Sequence, residues 1–222
     1  MSENIAIDGP AGAGKSTIAK KIAKQLGFIY VDTGAMYRAM AIYFLSQGLD
    51  VSQEAEIIKA CENADISIAY EDGEQQVILN GDNVTGQLRT EAVGNMASAS
   101  SAIPEVRVKL VKLQQVLASN SDVVMDGRDI GTAVLPNAKT KIYLTADAHV
   151  RAKRRFLELQ EKGIEGNLEE IEADINERDY RDMNRAASPL IQAKTAVLVD
   201  SSNKSIDEVV DEIIRIYKER NN

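Results

Sequence analysis

The sequence predicts an α/β fold in which a parallel five-stranded sheet is flanked by helices. Three observations carry this. Five short apolar runs, at Ile5-Ala6-Ile7, Phe28 to Val31, Val123-Val124-Met125, Ile142-Tyr143-Leu144 and Ala196 to Val199, are bounded by polar or turn residues. Runs without polar alternation suit strands covered on both faces. Helical patterns separate the runs, and a glycine-rich turn follows the first.

In chain order, the turn after Ile7 opens a helix from Lys15 to about Leu26, and a second helix runs from Ala35 to about Leu45. The βα rhythm then breaks. Between Ile66 and Val84 apolar alternation is interrupted by Asp72-Gly73 and Asn80-Gly81, dipeptides that tolerate positive φ and mark tight hairpin turns. This predicts a small antiparallel insert; an edge extension of the main sheet is the competing reading. A helix begins near Asp147, Gly163 to Gly166 breaks it, and another runs from Asn167 to about Arg185, its start marked by Asn167 and Glu170. The last helix starts at a capping box, Ser205 with Glu208, and carries Ile206, Val209, Val210, Ile213, Ile214 and Tyr217 on one face. The expected organisation is one domain. Its core is residues 1–62, 120–146 and 190–222; the insert covers about 63–95, with helices to 119; a helical lid covers about 147–186.

Composition narrows the function. The chain has 222 residues, 44% apolar and 27% charged, which excludes collagen, low complexity and disorder. The formal charge of −8 argues against nucleic acid or a membrane surface as partner. One cysteine, Cys61, and one histidine, His149, allow neither an internal disulfide nor a Cys/His metal cluster. Cys61 reads as a packed small hydrophobe and His149 as a residue near a helix start. Met1-Ser2-Glu3-Asn4 lacks a basic leader, and nowhere do about 18 apolar residues run together. A cytoplasmic chain is expected. No leftover amphipathic surface demands a protein partner, so a monomer is expected too.

Residues Gly9-Pro10-Ala11-Gly12-Ala13-Gly14-Lys15-Ser16 fit the pattern G-x-x-x-x-G-K-[ST], after a strand and before a helix. Glycines let successive N–H groups turn inward around phosphate oxygens, and the helix N-terminus adds its dipole. Lys15 is expected to reach the β- and γ-phosphates, and the Ser16 hydroxyl to hold Mg²⁺. This loop, through Thr17, is the expected ATP site. The motifs argue against a switch GTPase: the chain has no D-x-x-G, and Asn203-Lys204 is followed by aspartate one position too late for N-K-x-D. Large ATPases and helicases need far more chain or partner subunits.

A small phosphotransferase remains, and it must supply its own cations. On the helix from Asn167, the stripe of Leu168, Ile171 and Ile175 continues as Arg178, Asp182 and Arg185. Unpartnered buried charge is too costly, so these turns should line a cleft; a solvated helix end is the alternative. Arg151, Arg154 and Arg155 share one face of the preceding helix, either as lid cations over the phosphates or as a surface ion-pair face. Asp126 ends a buried strand, where it could hold Mg²⁺ through water or merely stop the strand. Thr33 and Arg38, after the second strand, could seat a second phosphate.

Four stretches together carry a resemblance that spans nearly the whole chain. They are Ile7-Asp8-Gly9-Pro10 running into the loop, Asp32-Thr33-Gly34-Ala35-Met36-Tyr37-Arg38, Asp126-Gly127-Arg128-Asp129-Ile130-Gly131-Thr132, and Glu177-Arg178-Asp179 through Arg185. With these the chain resembles the bacterial cytidylate kinases, P-loop enzymes that transfer the ATP γ-phosphate to CMP or dCMP. The resemblance implies that Thr33, Arg38 and Arg128 contact the CMP phosphate or its neighbourhood. Ser98, Arg107 and Asp129 become candidates for reading the base, with Ser100 and Ser101 close enough to leave the register open. Arg178, Asp182 and Arg185 would lie around the pentose and phosphates. Lys15, Arg128, Arg151, Arg178 and Arg185 are then the expected catalytic cations, with Asp126 at the substrate site. A kinase for another monophosphate such as UMP, one for a hydroxyl-bearing metabolite, and a nucleotide-binding regulator without turnover remain alternatives.

Overall fold

The structure, a computed structural model, describes residues 2–221. The chain divides into two compact units, Met1–Tyr30 with Ala118–Asn222, and Val31–Leu117. In chain order the elements are β1 (Asn4–Asp8), α1 (Lys15–Leu26), β2 (Ile29–Asp32), α2 (Thr33–Ser46), α3 (Glu54–Asn63), β3 (Ile66–Glu71), β4 (Glu74–Leu79), β5 (Asp82–Asn83), α4 (Glu91–Ser100), α5 (Pro104–Asn120), β6 (Val123–Gly127), β7 (Thr140–Thr145), α6 (Ala148–Glu161), α7 (Leu168–Asn184), β8 (Val197–Asp200) and α8 (Ile206–Asn221). A π-helical turn, Ile130–Val134, follows β6.

The larger unit is built on the expected parallel sheet, in the order β2-β6-β1-β7-β8. β1 lies at its centre, with Ile7 opposite Asp126 of β6 and Ile142 of β7. Its continuous apolar run follows from that position, since both edges are paired and both faces are covered. Helices α1 and α8 supply Ile18, Ile22, Val209, Val210 and Ile213 to a core shared with Ile5, Ile7, Ile142 and Leu144. The α8 capping box forms in both directions: Ser205 N–H donates to Glu208 Oε2 at 2.8 Å, and Glu208 N–H to Ser205 Oγ at 3.3 Å. β8 departs from expectation. It is an edge strand with one neighbour, and Leu198 in its apolar run is 54% exposed.

The smaller unit has its own core, in which Met36, Met40 and Phe44 of α2 pack with Ile57, Val77, Met96 and Leu110. Its antiparallel sheet, β3-β4-β5, is separate from the parallel one, which removes the edge-extension reading. Both turns form as the dipeptides require: Asp72 and Gly73 have φ of 52° and 79°, Asn80 and Gly81 of 50° and 92°. The unit takes in α2 and α3, whereas the sequence reading began the insert at residue 63. The second helix starts at Thr33 rather than Ala35, because the Asp32 side chain caps it by accepting the Ala35 N–H at 3.0 Å. Among the described residues no helix is long and apolar enough to cross a membrane.

Candidate active site

The glycine-rich loop joins the end of central β1 to the start of α1, the carboxyl edge where an open α/β sheet binds ligands. Gly9 has no substitute: a Cβ there would stand 1.9 Å from the Leu144 carbonyl oxygen, and its φ is +153°. Lys15 is 6% exposed, and its Nζ donates to the Pro10 carbonyl at 2.7 Å. Burial first, and the Arg128 charge next, push its ammonium well below the ordinary lysine range, while Asp126, Asp8 and Asp182 pull the other way. A lysine in this state gains most from an incoming polyanion, which would restore the charge partner that burial removed.

Ser16 Oγ donates to Asp126 Oδ2 at 3.1 Å, and Tyr30 Oη to Asp126 Oδ1 at 2.8 Å. No cluster of three or more His, Cys, Asp or Glu suited to a metal occurs among the described residues. Mg²⁺ needs no such cluster, since it takes one or two protein oxygens and fills its shell with water and phosphate. The hydroxyl and carboxylate oxygens of Ser16 and Asp126 fit that requirement.

Beside the loop, the chain after β6 is held by Asp8, which the sequence marked only as part of the stretch Ile7-Asp8-Gly9-Pro10, with no role of its own. Its two carboxylate oxygens accept the N–H groups of Ile130 and Gly131, each at 2.7 Å. Burial is the largest influence on it and pushes its carboxyl up to about 6 against those hydrogen bonds, with Asp129 adding to the rise and Lys15 opposing it. Asp129, itself buried, opens the π-helical turn: its carbonyl accepts the Val134 N–H at 3.2 Å and the Ala133 N–H at 2.8 Å.

On α7 the ionic continuation of the apolar stripe forms, turned by one residue. The buried positions after Ile175 are Asp179 and Asp182, with Arg178 and Arg185 half-buried beside them. Arg128 Nε donates to Asp182 Oδ2 at 2.7 Å, and Arg185 Nη1 lies 3.7 Å from Asp182 Oδ1. Burial works to raise the Asp182 carboxyl, but Arg128, Arg185 and Arg178 bring it below the usual carboxylate range. The three arginines of α6 do not act together. Arg151 turns inward onto Asp179 and the phosphate loop; Arg154 donates to Ser201 after β8; Arg155 pairs with Glu158 on the surface. The surface ion-pair reading thus describes Arg155 and not the whole face.

The smaller unit holds the other expected residues. Thr33 is buried at the first turn of α2, and Arg38 is half-buried with no ion pair among the described residues. Buried Arg107 stacks over the Tyr37 ring at 5.3 Å and donates to the Ser101 carbonyl at 3.0 Å. Ser100 and Ser101 spend their hydroxyls on the Met96 and Ser98 carbonyls, each at 2.8 Å, whereas the Ser98 hydroxyl makes no hydrogen bond among the described residues.

A parallel sheet of this order, with a glycine loop leading into a helix and basic side chains gathered around Lys15, defines a P-loop phosphotransferase. The comparisons narrow this. The cytidylate kinase family model matches residues 5–219. Cytidylate kinase from Caldicellulosiruptor saccharolyticus is 50% identical over 96% of this chain and 95% of its own length. That from Lactobacillus johnsonii is 49% identical over 97% and 94%. The chain belongs to the cytidylate kinase family, ATP-dependent nucleoside monophosphate kinases. At the level of fold, an uncharacterized protein from Eubacterium ventriosum superposes with a TM-score of 0.53 at 13% identity, over 99% of this chain and 100% of its own. Shikimate kinase from Bacteroides thetaiotaomicron does so with 0.50 at 14% identity, over 97% and 98%.

Proposed function

We propose that the chain transfers the γ-phosphate of ATP to the 5′-phosphate of CMP or dCMP, giving ADP and CDP or dCDP. The observation that carries this, beyond the family, is the cation arrangement around the phosphate loop. Lys15 is buried within the field of Arg128, and Arg128 and Arg185 are held by a single carboxylate, Asp182. Such a set is preorganised for charge that develops between two phosphates.

The acceptor oxygen is already ionised, so no strong general base is needed, and positioning with charge neutralisation carries the catalysis. Lys15 orients the β- and γ-phosphates. Arg128, whose Nη2 makes no hydrogen bond among the described residues, meets the acceptor phosphate, and Arg178 and Arg185 complete the clamp. Ser16 and Asp126 would hold Mg²⁺, which when bound neutralises the phosphate oxygens. In the smaller unit Thr33 and Arg38 seat the CMP phosphate, and Ser98 and Arg107 read the base; in the larger unit Asp129 is the candidate for reading it. The cytosine amino group is a donor that a carboxylate accepts, whereas uracil presents a carbonyl there. The helical hairpin of α6 and α7 closes over the phosphates and excludes water. The enzyme acts as a monomer in the cytoplasm. A buried, free Cys61 suits that reducing compartment.

A coupled ADP-release assay across CMP, dCMP, UMP and AMP tests the proposal. CMP and dCMP should be preferred. A UMP or AMP optimum would replace the substrate, and failure with every acceptor would leave a nucleotide-binding regulator.

A further inference from the structure

One contact in the larger unit suggests a different role for Arg151, which the resemblance placed among the catalytic cations. Arg151 and Asp179, with side chains only 6% and 11% exposed, form an ion pair at 2.7 Å between α6 and α7. Both reach the phosphate loop at the same residue. Arg151 Nη1 donates to the Ala11 carbonyl at 2.8 Å, and the Ala11 N–H donates to Asp179 Oδ1 at 3.4 Å. Arg151 Nε is fixed on the Ala146 carbonyl at 2.9 Å, and its Cβ lies 3.3 Å from where a side chain on Gly12 would begin. Both polar groups of one loop residue, and the backbone of the next, are therefore gripped from one side.

We propose that Arg151 and Asp179 form a clip that orients the Ala11 peptide, so that both are positioning residues for ATP rather than groups touching the transferring phosphoryl. This rests on the loop being the ATP site. A buried ion pair contributes little net stability, and its use here is geometric. A loop that binds by backbone N–H groups has no side chains of its own to set their direction. The signs matter as well. Asp179 brings a negative charge to the rim of an anion site, and Arg151 cancels it. Removing Arg151 alone therefore does two harms, loosening the loop and exposing ATP to an unbalanced carboxylate.

The test is direct ATP titration by calorimetry, without CMP, together with steady-state kinetics and thermal melts. Arg151→Ala should weaken ATP binding about thirtyfold or more, and Asp179→Asn about three- to tenfold, from the loss of charged hydrogen bonds. The KM for CMP should move less than about twofold, since the clip does not touch the acceptor. The double variant Arg151→Ala/Asp179→Asn should bind ATP more tightly than Arg151→Ala, because the bare carboxylate is gone. Arg151→Lys should fall between wild type and Arg151→Ala, keeping the charge but losing the fork. Three results would overturn the clip: unchanged ATP affinity in Arg151→Ala, a double variant weaker than that single one, or a loss confined to kcat. The last would place Arg151 on the transferring phosphate. Should Arg151→Ala not fold, ATP affinity unchanged in both Arg151→Lys and Asp179→Asn overturns it instead. Wild-type ADP release with CMP is the control; its absence would fall on the substrate reading and leave the ATP titrations to judge the clip.

Discussion

Replacing Lys15 with methionine separates the two things a buried ammonium does. In the free protein Lys15 makes one hydrogen bond, to the Pro10 carbonyl, at a site that is 6% exposed. Losing a charge-assisted bond costs about 1.5–3 kcal/mol. Removing an ammonium from a buried site returns several kcal/mol, less its attraction to Asp126, Asp8 and Asp182. Methionine fills nearly the same volume, so no cavity opens. The two contributions oppose each other, and the stability of Lys15→Met should lie within about 2 kcal/mol of wild type, or about 4–8 °C in Tm for a chain of this size. The transition state has no such compensation. A preorganised donor to developing oxyanion charge is worth roughly 10²–10³ in rate, and a full charge on the β- and γ-phosphates at least the upper value. Coupled ADP release should thus fall on the order of 10³-fold or more while the melt stays within that Tm range. The pH dependence adds a sign. Because the folded-state value of Lys15 is depressed, the wild type carries its full burial cost below that value and loses it as pH rises toward 10.5. Any advantage of the variant is therefore largest at and below neutral pH and shrinks in alkali. Near-normal turnover, or a loss of stability as large as that of a core cavity, would refute this account of the loop.

Three further outcomes follow from the same geometry. Gly9→Ala should not give a folded protein, or should lose well over 4 kcal/mol, since its methyl would sit 1.9 Å from the Leu144 carbonyl oxygen; expression with circular dichroism and a melt checks this. Asp129→Asn should narrow the CMP/UMP ratio of kcat/KM, by roughly ten- to a hundredfold if the carboxylate reads the amino group; an unchanged ratio moves discrimination to Ser98 and Arg107. Asp8→Asn should alter the acid limb of stability. With its carboxyl raised to about 6, the folded wild type binds a proton more readily than the unfolded chain, so Asp8 adds up to about 3 kcal/mol as pH falls from 6 to 4. Denaturant melts of the two proteins across that range should diverge in this direction, and parallel curves would remove Asp8 from the account.

What could be read beforehand was whatever the backbone imposes locally. The loop at residues 9–16 needs glycine wherever its chain meets a neighbour, and the two hairpin turns need residues that accept positive φ, so both announce themselves in composition. The Ser205 and Glu208 cap is equally local. Harder to read was what depends on distant register. Asp8 matters because β1 brings it to the start of a turn 122 residues later, and no pattern near Asp8 contains that fact. On α7 a heptad count puts Arg178 on the packed stripe, whereas the helix is rotated enough to bury Asp179 instead, a difference of one residue in phase. The arginines of α6 share a face by spacing, yet each finds a partner on a different segment. The apolar run of β8 gives no sign that one of its edges is unpaired.

The position of β1 also sets an order of events during synthesis. β1 occupies the middle of the sheet and is made before its partners β6 and β7, whose residues follow more than 110 positions later. Closing so long a loop is slow, and until then Ile5 and Ile7 have nowhere to hide. The stretch from Val31 to Leu117 carries a core of its own, so it can condense while β1 waits for its partners. Translation pauses after about residue 117 would prolong that wait.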